Sequence, residues 1–156
     1  RLPDNYWELV DQKKESLFKT ELNTTSNARE LLQKLNKPMS VASNSEAYWL
    51  DFKLKVLELD HFFPNAIFSR ELVKQGKPAP DLFWYAAKEM SVDPKNCLVV
   101  EDSVHGLQAA KSAGMASCAY IGGSHVTKSY EIKLREMTPD FIISDLLEIE
   151  SLINKH

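Results

Sequence analysis

Cys97-Leu98-Val99-Val100-Glu101-Asp102-Ser103-Val104-His105-Gly106 is the stretch on which the reading of this chain turns. A short apolar run leads straight into two adjacent carboxylates and then into residues suited to start a helix. In open α/β sheets, ligands bind in the crevice outside the carboxyl ends of the strands. Mg²⁺ takes few protein ligands, commonly one or two carboxylates, and completes its shell with water and substrate phosphate. Glu101 and Asp102 fit that description. Asp102 fits a helix N-cap equally well, because its side chain can accept from the free N–H groups of a first turn. The stretch alone leaves both readings open.

Outward from it, apolar periodicity alternates between strand and helix. A helix over 103–113 ends at Gly114, and strands follow at 116–121 and Phe141-Ile142-Ile143, with a last helix from Asp145. Upstream, Pro80 stands near the first turn of a helix running to Met90, preceded by the strand Ala66-Ile67-Phe68-Ser69 and a helix over 45–59. Met39-Ser40-Val41-Ala42 reads as a strand ended by Ser43. Ala28, Leu31, Leu32 and Leu35 mark an amphipathic helix over 27–36, with Asn27 and Glu30 at capping-box spacing. Residues 4–19 form a first helix, joined to the rest by the polar link Asn23-Thr24-Thr25-Ser26-Asn27. Strands joined by crossover helices imply a parallel sheet covered on both faces. The four aromatics Tyr48, Trp49, Trp84 and Tyr85 are expected in the core and on helix faces.

The chain has 156 residues, enough for one domain with a sizeable core. Nineteen basic and 22 acidic side chains give a net charge of −3, without the basic footprint that nucleic acid or an anionic membrane would demand. No apolar run approaches the length of a membrane span. Cys97 and Cys118 lack metal or redox spacing and read as small buried hydrophobes in a reducing compartment, so a cytoplasmic protein is expected. The sequence opens on Arg1 rather than Met and enters a helical region at once, which leads us to expect that it continues a longer polypeptide.

Two further motifs carry chemistry. Val41-Ala42-Ser43-Asn44-Ser45-Glu46 brings a hydroxyl and an amide to a helix start. Ser43 and Glu46 fit a capping box, and the same N–H groups and dipole end also suit a phosphate. Gly76-Lys77-Pro78-Ala79-Pro80-Asp81 holds a lysine in a loop restricted by prolines, which would make Lys77 a placed charge rather than a solvated one.

In their order and setting these motifs resemble the haloacid dehalogenase-like (HAD) superfamily of phosphohydrolases, in the subgroup of β-phosphoglucomutase and sugar-phosphate phosphatases. The family's strand ending in Ser/Thr is matched by Ser43, its lysine by Gly76 to Asp81, and its acidic pair, E-D-S-x-x-G-x-x-A-A-x-x-A-G-M, by Glu101 through Met115. The resemblance runs from about Leu17 to Ile149. It implies an α/β, Rossmann-like core with a parallel sheet and flanking helices, over residues 23–156. Residues 1–22 would be the tail of a helical cap and its return link.

It also implies Mg²⁺-dependent phosphoryl transfer through an aspartyl-phosphate enzyme intermediate, on a small phosphorylated metabolite such as a sugar phosphate or phosphogluconate. Ser43, Asn44 and Lys77 would bind phosphate and substrate, Ser43 and Lys77 acting in catalysis, while Asp102 would hold the metal with Glu101 as a second ligand or as the group that orients a metal-bound water. Ser103 and His105 read only as helix-start residues.

The sequence departs from the family at one point. No D-x-D, the pair that carries the family's nucleophile and its acid/base, occurs in the 156 residues. In the family that strand lies between those bearing Ser43 and Asp102, so these two strands are expected to show unpaired edges, and the chain alone to be inactive. A phosphomutase is the nearest enzymatic alternative. A non-catalytic domain that keeps a phosphate and metal pocket is the alternative from another class.

Overall fold

The structure, a computed structural model, describes residues 2–154. Its first element, α1 (Tyr6–Glu21), is followed by α2 (Ala28–Lys34), β1 (Val41–Ser43), α3 (Ala47–Val56) and β2 (Ile67–Ser69). Then come α4 (Asp81–Glu89), β3 (Leu98–Glu101), α5 (Val104–Ala113), β4 (Ala116–Tyr120), α6 (Lys128–Glu136), β5 (Phe141–Ile143) and α7 (Glu148–Ile153). Every strand pairing is parallel, as crossover helices require. The α/β architecture expected from the sequence is therefore present.

The strands fall into two sheets. β1 pairs with β2, setting Val41 opposite Ile67 and Ser43 opposite Ser69, and β3, β4 and β5 pair in that order. Among the described residues nothing pairs with the inner edge of β1 or of β3, the two strands that carry the chemical motifs.

Helices tie the halves together. On α4, Leu82 and Ala86 pack with Leu50, Leu54 and Phe68, while the next positions round, Phe83 and Ala87, pack with Val99, Ala109 and Ala110. One helix thus serves both cores. Leu82 is fully buried, a contribution of about 1.5–3 kcal/mol for such a side chain. On the other face α2 sends Leu31 into the cluster of Cys118, Tyr120, Ile143 and Ile149. From the same helix Arg29 donates to the carbonyls of Leu57 (2.6 Å) and Glu58 (3.2 Å) beyond the end of α3. The two sheets thereby keep fixed relative positions although, among the described residues, no strand joins them.

Several local expectations are corrected. Asn27 does not cap α2: its backbone is left-handed (φ 63°), and its amide donates instead to both carboxylate oxygens of Asp145 at 2.9 Å. The Ser43/Glu46 box does not form either. α3 starts later than expected, and the N–H of Ala47 is taken at 3.0 Å by Glu71, which follows β2. Helix α6 was not anticipated, because its apolar positions, Tyr130, Ile132 and Leu134, are too few among charges to show a face. Only Leu134 among them is buried. Gly114 ends α5 in the left-handed region (φ 71°), as its sequence position implies. Cys118 is fully buried, and burial, with the charge of Glu148 second, pushes its thiol up to about 11, leaving it inert at neutral pH.

Candidate active site

β1 and β3 point their carboxyl ends to the same side, and between them opens a cleft of about 510 Å³ whose walls include Ser43, Asn44, Lys77, Glu101, Asp102 and Ser103. The three motifs, separated by 34 and 24 residues in Ser43, Lys77 and Glu101, meet in one place.

Each residue arrives there for a local reason. Ser43 closes β1, and its Oγ accepts from the N–H of Ser45 at 3.1 Å, which turns the chain sharply and leaves the hydroxyl proton as a donor. Lys77 leaves its loop between Gly76 and Pro78, and its ammonium donates to the Ala42 carbonyl at 2.8 Å on the open edge of β1. The same nitrogen forms an ion pair with Glu101 and lies 4.7 Å from the centre of the Phe83 ring. The Glu101 carboxylate takes a second hydrogen bond from Ser103 Oγ at 2.9 Å. A side chain at position 106 would overlap that carboxylate, so Gly106 is what lets α5 pass so close.

Ser103 caps α5, its Oγ accepting from Gly106 N at 3.0 Å. Asp102 is not used for that purpose, and its carboxylate is half exposed at the cleft wall. Lys77 and Glu101 balance one another, so Asp102 leaves the group one negative charge in excess. The same side chain lies 3.5 Å from His125 Nε2, on the loop after β4.

His125 was missed in the sequence. The signal was its position beyond the carboxyl end of a strand, in Gly122-Gly123-Ser124-His125, where ligand-facing residues of α/β sheets collect. His105 lines the cleft itself, whereas His125 reaches it only through Asp102.

The donor set suits a hard cation. Among the described residues no three of His, Cys, Asp and Glu gather into a cage. One or two open carboxylates beside a water-accessible cleft are nonetheless what Mg²⁺ ordinarily takes from a protein. Asp102 meets that requirement directly. Glu101 is an oxygen donor already engaged with Lys77 and Ser103.

The family profile described as haloacid dehalogenase-like hydrolase matches residues 4–114. A 6-phosphogluconate phosphatase of Escherichia coli (strain K12) is 36% identical over 109 residues, covering 70% of this chain and 49% of that protein. A fructose-1-phosphate phosphatase of the same organism is 43% identical over 79 residues, covering 51% of this chain and 42% of its own length. The chain thus spans about half the length of the curated relatives it matches.

Among solved structures, a haloacid dehalogenase-like protein of unknown function from Agrobacterium tumefaciens superposes with a TM-score of 0.87 at 27% identity, over 99% of this chain and 71% of that one. A HAD family hydrolase from Deinococcus radiodurans, solved with bound phosphate and sodium, gives 0.82 at 25% identity, over 98% and 68%. No helix among the described residues is long and apolar enough to cross a membrane.

Proposed function

The chain belongs to the haloacid dehalogenase-like hydrolases, and from that premise we propose that the complete protein is a Mg²⁺-dependent phosphatase of small phosphorylated metabolites, sugar phosphates or phosphogluconate-like compounds. The observation that carries this reading is the convergence of Ser43, Lys77, Glu101 and Asp102 on one cleft at the carboxyl ends of β1 and β3.

In it, the Ser43 hydroxyl donates to a phosphoryl oxygen, and the Lys77 ammonium offsets the charge that accumulates as the phosphoryl group moves. Asp102 and Glu101 would hold Mg²⁺, Asp102 through a carboxylate open to the cleft and Glu101 through one that also answers Lys77. When bound, the ion would act as a Lewis acid on the phosphoryl oxygens and help orient them.

The attacking carboxylate, by this reading, belongs to a D-x-D strand running between β1 and β3; it takes the phosphoryl group as the substrate's ester P–O bond breaks and the alcohol leaves protonated, and water then hydrolyses the aspartyl-phosphate to inorganic phosphate. The unpaired inner edges of these two strands support that position, since exposed edges left open in a sheet are a liability that proteins cover. Residues 1–156 without such a strand would not turn over. Residues 1–22 would form the end of a cap and its link, and 23–156 the core; the support is that α1 buries none of its side chains.

The test is release of inorganic phosphate by the complete protein from an aryl phosphate, 6-phosphogluconate, fructose 1-phosphate and related sugar phosphates, with and without Mg²⁺. Release that requires Mg²⁺ supports the reading. No release above the buffer rate from any of these compounds would overturn it.

A further inference from the structure

Asn44 adjoins Ser43, yet its amide is occupied by a different partner. Its Nδ2 donates to the Lys77 carbonyl at 2.9 Å, and its Oδ1 accepts from the Lys77 N–H at 2.9 Å. The side chain thus pairs with the backbone of one residue through both of its polar ends, as a neighbouring strand would. Gly76 makes the approach possible: a Cβ there would stand 2.5 Å from Asn44 Oδ1 and 3.2 Å from Asn44 Cγ. At its far end the Lys77 side chain is held by the Ala42 carbonyl and by Glu101. Lys77 is therefore pinned at its backbone by Asn44 and at its ammonium by β1 and β3. A flexible four-carbon stem fixed at both ends has little freedom left to place its charge elsewhere.

We infer that Asn44 is a positioning residue that acts through Lys77, setting the loop so that the ammonium stands between the two strand ends. The kinetic consequence rests on the phosphatase reading; the clamp itself does not. Misplacement of a catalytic group by about 1 Å can cost on the order of 10²-fold in rate, and a group that serves the transition state rather than ground-state binding shows its loss in kcat.

In the complete protein, Asn44→Ala should speed hydrogen exchange at the Lys77 amide about 10-fold or more, while the amides of β3 and α5 keep their protection. It should lower kcat about 10- to 100-fold with KM changed by less than about twofold. Gly76→Ala attacks the same clamp from the other side, in a backbone conformation that alanine tolerates, and should reproduce both effects.

Unchanged exchange at Lys77 in either folded variant would overturn the inference. So would a raised KM with kcat retained, the signature of a direct substrate contact. A complete protein without phosphatase turnover would sink the phosphatase reading, and exchange at Lys77 would still decide the clamp.

Discussion

Lys77 and Glu101 form a buried ion pair across the divide between the two sheets, their side chains only 9% and 10% exposed. Removing one member of a buried pair strands the other charge, at a cost of about 3–5 kcal/mol, whereas replacing both by uncharged groups of similar volume is often close to neutral. Lys77→Met and Glu101→Gln should therefore each destabilise the complete protein more than the double variant does. All three should lose phosphate release severely. Urea unfolding alongside an aryl-phosphate assay separates the two effects. Strictly additive destabilisation by the single changes would show that the pair does not act as a unit.

Asp102 presents the opposite case. It is half exposed, caps nothing, and has His125 Nε2 as its neighbour at 3.5 Å. Asp102→Asn should leave the unfolding midpoint nearly unchanged, within about 0.5 kcal/mol as for ordinary surface changes. The same variant should abolish Mg²⁺-dependent hydrolysis of an aryl phosphate. A near-normal rate at saturating Mg²⁺ would remove Asp102 from the metal site.

What the sequence made legible was the order of elements around each motif, because strand periodicity and the stop at Gly114 are local signals. Capping was less legible. Asp102, Ser103, Asn27 and Ser43 all have cap chemistry, and spacing does not say which of them has a competing long-range partner. Asn27 finds Asp145, 118 residues away, and Ala47 finds Glu71. The same blindness to distant partners hid His125, which approaches Asp102 only because β4 lies beside β3. Asn44 lies at the cleft beside Ser43, but its pairing with the Lys77 backbone depends on a loop 33 residues away. The division into two sheets followed from the family's strand order, which no periodicity in this chain reveals.

Asp140 gives the fold a dependence on acid. Its Oδ2 accepts from Ser117 N at 2.8 Å and from Ser117 Oγ at 2.9 Å, joining the start of β4 to the start of β5. The N–H of Ser117, then its hydroxyl, hold the Asp140 carboxyl below its ordinary value. A carboxyl depressed on folding contributes stability that is present above its unfolded pKa, about 3.9, and disappears as pH falls through the lower folded value. Asp140 is exposed, so screening limits the contribution to about 1 kcal/mol. Asp140→Ala should lower the urea midpoint at pH 7, and the gap from the parent protein should close well below pH 4. An equal gap at pH 7 and pH 2.5 would mean that the loss is one of packing, not of charge.

Phe18 decides whether α1 belongs to the core's cooperative unit. Sixteen residues long, α1 buries none of its side chains and exposes Trp7 and Leu9. It is held chiefly through Phe18, whose ring meets Trp49 edge-on at 5.7 Å and Phe52 at 6.3 Å on α3. Lys53, which also donates to Ser45 Oγ beside the cleft, lies 6.0 Å from the Phe18 ring. Further ties are the ammoniums of Lys14, 4.9 Å from the Trp49 ring, and Lys19, 5.6 Å from the Phe52 ring, and an exposed hydrogen bond from Tyr48 to Glu15 at 2.7 Å, of the kind that contributes about 0.5–1.5 kcal/mol. Truncating Phe18 removes both ring–ring contacts at once and leaves only exposed lysine and hydrogen-bond contacts, so Phe18→Ala should release α1 and expose the link at 22–27 to protease, while Tyr48→Phe should do so weakly. If α1 is a separate unit, the unfolding midpoint of the core stays where it was in both variants. A core that melts earlier in Phe18→Ala would show α1 to be part of the same cooperative fold and would move the division at residue 22.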